Sequence, residues 1–224
     1  FAQLAVDKCK ERGLHARTVS YYGFPIDTGS ILALKLLNPD NRLPAIIVSS
    51  NMYANRAETI VLGKSVRDAI DVSGKKAVVV VVSALSNRLH TVEIKPEDDK
   101  IHSLKDHEWN LKFLEYLDKG RLEDVSQLSR QFHEEARVPK VVSFKPFWIL
   151  ASMMGQTNLY EGNILAYEPV WGTGSAVVTM TPAEDTAGDL EYDEDDPEFY
   201  KGDREVLDFY EQPEMGPLEE EDGD

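Results

Sequence analysis

The sequence is 224 residues long and carries a formal net charge of −16, from 24 lysines and arginines against 40 aspartates and glutamates. Nucleic acids and anionic lipid surfaces both select a basic face, so both are disfavoured as partners. The imbalance is local: residues 181–224 hold 19 of the acids and 2 of the bases, leaving 21 acids and 22 bases over residues 1–180. The chain therefore reads as a neutral body, 1–180, followed by an acidic tail, 181–224. The single cysteine, Cys9, excludes an internal disulfide and points to a reducing, cytoplasmic setting. The longest apolar run, residues 77–82, falls far short of the ~20 residues that span a bilayer. The sequence opens at Phe1, without an initiator methionine and already within a helical pattern, so a preceding segment is expected.

A first helix runs to a stop at Gly13, after which residues 15–21 alternate in the manner of a strand. Residues 22–30 form a Gly/Pro/Asp loop, and an apolar piece over 31–37 is closed by Asn38-Pro39-Asp40. Residues 44–49 are a short apolar run suited to a strand buried on both faces. A helix is expected over 55–72, with Leu62, Val66, Ala69 and Ile70 on one side and Gly74 as its stop. Five consecutive valines make residues 77–83 the clearest strand pattern in the chain.

A polar loop over 93–105 leads into a helix that Asp106 can cap, burying Trp109, Phe113, Leu114 and Leu117 and ending at Lys119-Gly120. The next helix carries Leu122, Val125, Leu128 and Phe132. Residues 143–155 are apolar nearly all round (Trp148, Met153 and Met154 among them) and read as a buried helix, with Pro146 in its first turn. Residues 158–167 and 176–180 are closing strands around a turn at Gly172-Thr173-Gly174. Strands alternating with helices predict an α/β layered sandwich, with a central, mostly parallel sheet flanked by helices. The tail has the composition of a disordered segment. It repeats one triplet, Glu198-Phe199-Tyr200 and Asp208-Phe209-Tyr210.

The residues by themselves spell out little chemistry. His15, His90, His102, His107 and His133 show no metal-binding spacing. Gly172-Thr173-Gly174-Ser175 lacks the lysine and third glycine of a phosphate loop. Glu168 is a carboxylate without a partner, and no serine lies in a glycine-flanked elbow. Topology is more informative. Ligands of α/β sheets bind beyond the carboxyl ends of strands, here at residues 49–51 and 83–89.

Several short motifs then occur in the order in which one family carries them. Pro25-Ile26-Asp27-Thr28-Gly29 stands at an Asp-His-Gly loop, and Pro44-Ala45-Ile46-Ile47-Val48-Ser49 at a Pro-Val-Val-x-x-Ser strand. Leu62-Gly63-Lys64-Ser65-Val66 matches a Leu-Gly-x-Ala-Ile helix. Residues 82–89 match a Ser-Gly-Gly-Leu-Ser-His loop, and Tyr167-Glu168-Pro169-Val170-Trp171-Gly172-Thr173-Gly174 the closing segment. Over residues 15–180 the chain resembles the class III extradiol ring-cleavage dioxygenases, the superfamily of the protocatechuate 4,5-dioxygenase catalytic subunit.

The resemblance implies an Fe(II) site of two histidines and a glutamate, with a further histidine as acid–base on the substrate hydroxyl. Three of the family's functional positions are altered in this sequence: the loop histidine is Thr28, the acid–base histidine is Asn87 and the metal-ligand glutamate is Phe144. The family's histidine ligands precede the position of Phe1. Degenerate positions on a preserved scaffold resemble the α subunits of the 2-aminophenol-cleaving members, which lack iron and pair with a homologous catalytic β subunit. The resemblance thus implies no catalytic, cofactor-binding or metal residue in this chain, Fe(II) in a β partner, and an α2β2 hetero-tetramer. Two alternatives stand beside it. One is an active enzyme with atypical ligands such as His90 and Glu168. The other is an interaction protein that works through its tail.

Overall fold

A computed structural model describes residues 1–50, 53–122, 124, 125, 132, 135, 145–154 and 160–183. The expectations placed on Leu128, His133, Phe144 and the tail from residue 184 onward lie outside these residues. Helices α1 (Ala2–Glu11), α2 (Thr28–Leu37), α3 (Arg56–Ser73), α4 (Leu104–Asp118) and α5 (Lys145–Met153) precede strands β1 (Tyr160–Val170) and β2 (Thr173–Pro182). The described residues thus mix helix and strand, as expected of an α/β chain.

α3 begins where its capping chemistry dictates. The Asn55 side chain accepts from the Glu58 amide, and the Glu58 carboxylate accepts from the Asn55 amide, both at 2.8 Å. This reciprocal box satisfies two amides that have no partner within the helix. Asn55→Ala is expected to lower stability by about 1 kcal/mol, read as a shift in the denaturant midpoint. α3 then packs against both α1 and α5. Ala5, Val66, Ala69 and Met153 meet in one apolar cluster, with Val48 and Ile149 at its margin. Cys9, 1% exposed, is buried in α1. Burial pushes its thiol above the usual range, opposed by a hydrogen bond with Ser65 and by the charge of Arg12. A disulfide-exchange reagent should count no thiol in the native chain and one in denaturant. Because the raised value favours the neutral thiol in the folded state, this contribution to stability holds below the ordinary thiol range and fades as pH rises above it.

The second cluster is larger. Leu85, Phe113, Leu114, Leu117, Leu122, Val125, Phe132, Phe147 and Ala151 form it, with Val81 and Ala84 packed against it. Phe113 stacks on Phe132 at 4.8 Å and meets Phe147 edge-on at 5.2 Å. α4 opens differently from expectation. Its N-cap is Ser103, whose Oγ accepts from the Asp106 amide at 3.1 Å, and Asp106 sits fully buried in the first turn. Trp148 and Met153 are also buried, so both belong to the core.

β1 and β2 pair antiparallel, from Tyr160↔Pro182 to Val170↔Thr173, with a bulge between Ile164 and Ala166. The turn joining them is Trp171-Gly172, not Gly172-Thr173-Gly174, and both residues have positive φ, 55° and 88°. Such two-residue turns match the twist of the strands but favour glycine at both positions. The tryptophan is held there from outside the hairpin. The Asp99 carboxylate accepts from the Trp171 and Gly172 amides, at 2.5 and 3.0 Å. Trp171 Nε1 donates to the His90 carbonyl at 3.0 Å, and the His90 amide returns a bond to Trp171 O.

The sheet is the principal departure from the sequence-based expectation. Among the described residues the hairpin is the whole sheet. Residues 15–21, 44–49 and 77–83, expected as strands, run without helix or ladder. Val81 turns onto the core while Val78 and Val80 are 90% and 50% exposed. β-branched runs favour an extended, half-buried environment, but a ladder needs a neighbouring strand, and these residues hold none.

Candidate functional site: the loop after the valine run

The loop that follows the valine run is anchored from below by α4. Ser86, 1% exposed, donates its amide to Asn110 Oδ1 at 2.9 Å. Asn110 Nδ2 donates to Ser86 Oγ at 2.8 Å and to the Tyr167 hydroxyl at 3.1 Å. The Ser86 carbonyl accepts from the Gly174 amide at 3.3 Å. One buried amide side chain therefore ties the loop, α4 and β1 together. Polar groups taken out of water must be paired, and here Asn110 spends both its donor and acceptor ends inside the protein.

The Tyr167 hydroxyl also lies 3.1 Å from His107 Nδ1, and the two rings stack at 5.8 Å. Burial pushes the Tyr167 phenol up, partly offset by the bond from Asn110. The Tyr167 hydroxyl thus joins two side chains of α4, accepting from Asn110 and standing within hydrogen-bond distance of His107. Nearby, Arg88 Nε stands 3.4 Å from the buried carboxylate of Asp106. These residues form a frame that fixes residues 85–88.

The frame presents Asn87, which is exposed. Thr28 is the first residue of α2 and is likewise exposed. The helix start is set by Asp27, whose carboxylate accepts from the Ser30 amide and hydroxyl at 2.8 and 2.6 Å. Those two bonds hold the Asp27 carboxyl below its usual range. The backbone of Gly29 lies against Val82, which brings the start of α2 to the carboxyl end of the valine run. Thr28 and the loop bearing Asn87 thus share one end of that run. Phe144, the third altered position, lies outside the described residues.

His90 is engaged elsewhere. Its Nε2 donates to the Lys100 carbonyl at 3.0 Å, lies 3.7 Å from Asp99, and its ring stands 5.4 Å from His102 beside the hairpin turn. Glu168 is exposed, on the strand face opposite Tyr167. Among the described residues, no three His, Cys, Asp or Glu side chains come together in a way that could hold a metal ion. The hydroxyl of Thr28 and the amide of Asn87 are poor iron donors beside imidazole and carboxylate. These positions do not fit an iron site. No step involving iron can be drawn through them.

Sequence reasoning passed over Asn110, weighed His107 only for metal-binding spacing and named Tyr167 only as the start of the closing segment. A signal was present: Asp106 and Asn110 continue the buried stripe of Phe113, Leu114 and Leu117 at i, i+4, i+7, i+8 and i+11. Polar residues on an otherwise apolar stripe imply buried partners.

The chain belongs to a family of aromatic ring-opening dioxygenases. Residues 1–179 match the family described as the catalytic LigB subunit of aromatic ring-opening dioxygenase. Two relatives come from Pseudomonas sp. The chain is 29% identical over 182 residues to a 2-aminophenol 1,6-dioxygenase alpha subunit, an overlap of 80% of this chain and 66% of the relative. It is 33% identical over 188 residues to the beta subunit of the enzyme of that name, covering 79% of this chain and 61% of the relative. The chain therefore spans about two thirds of the length of these relatives. No helix among the described residues is long and apolar enough to cross a membrane.

Proposed function

We propose that this chain is a non-catalytic α subunit of a heteromeric extradiol dioxygenase that opens an aromatic ring such as that of 2-aminophenol. The observation that carries the reading is the pair Thr28 and Asn87, set at one end of the valine run where catalytic members of the family place histidines. A threonine hydroxyl and an asparagine amide do not ionise near neutral pH, so neither replaces an imidazole as acid–base. Fe(II) then belongs to a homologous β subunit, in an α2β2 hetero-tetramer located in the cytoplasm. The similarity to both subunits of one named enzyme supports a heteromeric partner.

In this reading the body, 1–180, takes the family's layered α/β form with a parallel sheet, and the acidic tail, 181–224, is a disordered appendage. The Asn110 frame holds the loop in place whether or not residue 87 does chemistry. Co-expression with a homologue that keeps Asp-His-Gly and Leu-Ser-His tests the assignment. A stable complex that survives size-exclusion chromatography is expected. Separate elution of the two chains would sink the proposal.

A further inference from the structure

The altered site does not absorb the outer face of the β1–β2 hairpin. When one face of an antiparallel pair lies on the core, the other is ordinarily polar. The inner face follows that pattern, since Ile164, Tyr167, Ala176, Val178 and Met180 pack on the larger cluster. The outer face breaks it. Leu165, Val177 and Val170 point outward and are 58%, 55% and 54% exposed. Trp171, 40% exposed, follows at the turn.

The bulge makes this a built arrangement. Leu165 has no partner across the ladder, so Ile164 and Tyr167 both face inward while Leu165 and Ala166 both face outward. A bulge re-aims side chains. This one doubles the apolar residues on the outside, at the level where β2 supplies Val177 opposite Ala166. The two strands already pair their backbones with each other, so an occupant meets this face through side chains.

Charge decides the occupant. Glu161 and Glu168 stand on the same outer face, on either side of Leu165, and Ser175, Thr179 and Thr181 complete it. Residues 160–182 contain no lysine or arginine. A second copy laid face to face sets glutamates against glutamates, with no cation on the hairpin to offset them. The acidic tail is repelled in the same way. The face fits a different protein surface, apolar at its centre for Leu165, Val170 and Val177, with lysine or arginine at its flanks for the two carboxylates. An apolar core inside a charge-complementary rim is the anatomy of a specific interface.

We propose that the outer face of the β1–β2 hairpin is a docking surface for a protein partner with an apolar contact centre and basic flanks, and that this partner is the catalytic β subunit. The choice of partner rests on the α-subunit reading, which the similarity to both subunits of one named enzyme supports.

The test measures, by sedimentation at low and at high salt, binding between the purified chain and the homologue that keeps Asp-His-Gly and Leu-Ser-His. Leu165→Glu and Val177→Glu change exposed side chains, so the melting temperature should hold while the dissociation constant rises about 30-fold or more. Glu168→Lys should weaken binding about tenfold and flatten its salt dependence. It alters a solvated charge, so it carries the test if the glutamate variants lose stability. Glu108→Lys is the control. Its side chain is exposed on α4, which packs on the inner side of the hairpin, and binding should not change. Undiminished binding by all three hairpin variants overturns the docking surface and leaves the α-subunit reading standing. Absence of a complex with the wild-type chain overturns both. Self-association of the chain alone that Leu165→Glu abolishes makes a second copy the occupant and overturns the proposal.

Discussion

Asn110→Ala is expected to destabilise the chain by about 3 kcal/mol, because it leaves the buried Ser86 amide and hydroxyl without their Asn110 partner and takes one of two partners from the Tyr167 hydroxyl. Each lost bond costs about 1 kcal/mol net where water can replace it and up to ~3 where it cannot. Asn110 and Ser86 are 0% and 1% exposed, which places the site at the costly end. A domain of this size would lose roughly 10 °C in melting temperature. The Ser86 amide should exchange faster in the variant while the amides of α3 keep their protection, since the cluster around Leu85 and Phe113 is disturbed and the one around Val66 and Ala69 is not.

Asn110→Asp sharpens the prediction. It puts a second carboxylate one turn from the buried Asp106, where neither charge reaches water. Burial and the like charge both disfavour ionisation, so the introduced carboxyl has a raised folded value. Its penalty is therefore full near neutral pH and shrinks as pH falls below that value. Stability measured from pH 7 down to pH 5 should rise relative to the wild-type chain, which is opposite in sign to ordinary acid denaturation.

Gly63→Ala is the second large effect, expected to cost about 2–3 kcal/mol despite the ~1 kcal/mol that alanine gains over glycine in a helix interior. A β-carbon at residue 63 would overlap Ser152 Oγ and the Ile149 carbonyl of α5. The serine hydroxyl can rotate away, but it already donates to the Trp148 and Ile149 carbonyls at 2.8 and 3.0 Å. The backbone carbonyl has no such freedom, so the two helices must separate. Gly74→Ala is the contrast. Gly74 caps α3 in the left-handed conformation with φ of 62° and has no atom within 4 Å of an added β-carbon. Only the backbone penalty of about 1–2 kcal/mol remains there. Equal losses at both glycines would argue against the close α3–α5 approach.

Helix positions were legible in the sequence where the signals were local. α3 could be placed between Asn55 and Gly74 because both ends carry their own capping chemistry. The start of α4 was three residues off, since Ser103 and Asp106 are both capping types and only the fold shows which one accepts. The Trp171 turn was beyond reach. A tryptophan at positive φ is stabilised there by Asp99, 72 residues earlier, and no window of sequence contains both. The strand expectations over 15–21, 44–49 and 77–83 rested on local pattern alone, alternation in the first and apolar runs in the other two. They could not read pairing, which depends on residues distant in the chain.

The altered positions Thr28 and Asn87 were visible only as departures from a family pattern. Their approach to one end of the valine run, through Gly29 on Val82, is a tertiary fact. Asn110 lay in plain view on an apolar stripe, and its partners did not.

The claim that this chain carries the scaffold without the chemistry is tested most directly by metal analysis combined with a ring-cleavage assay on the purified chain, anaerobically reconstituted with Fe(II). The account predicts iron well below one atom per chain after desalting and no ring cleavage of 2-aminophenol or a catechol. It predicts that both iron and turnover accompany the homologous catalytic subunit when the two are combined. One tightly held Fe(II) per isolated chain, with ring cleavage by that chain, would contradict it.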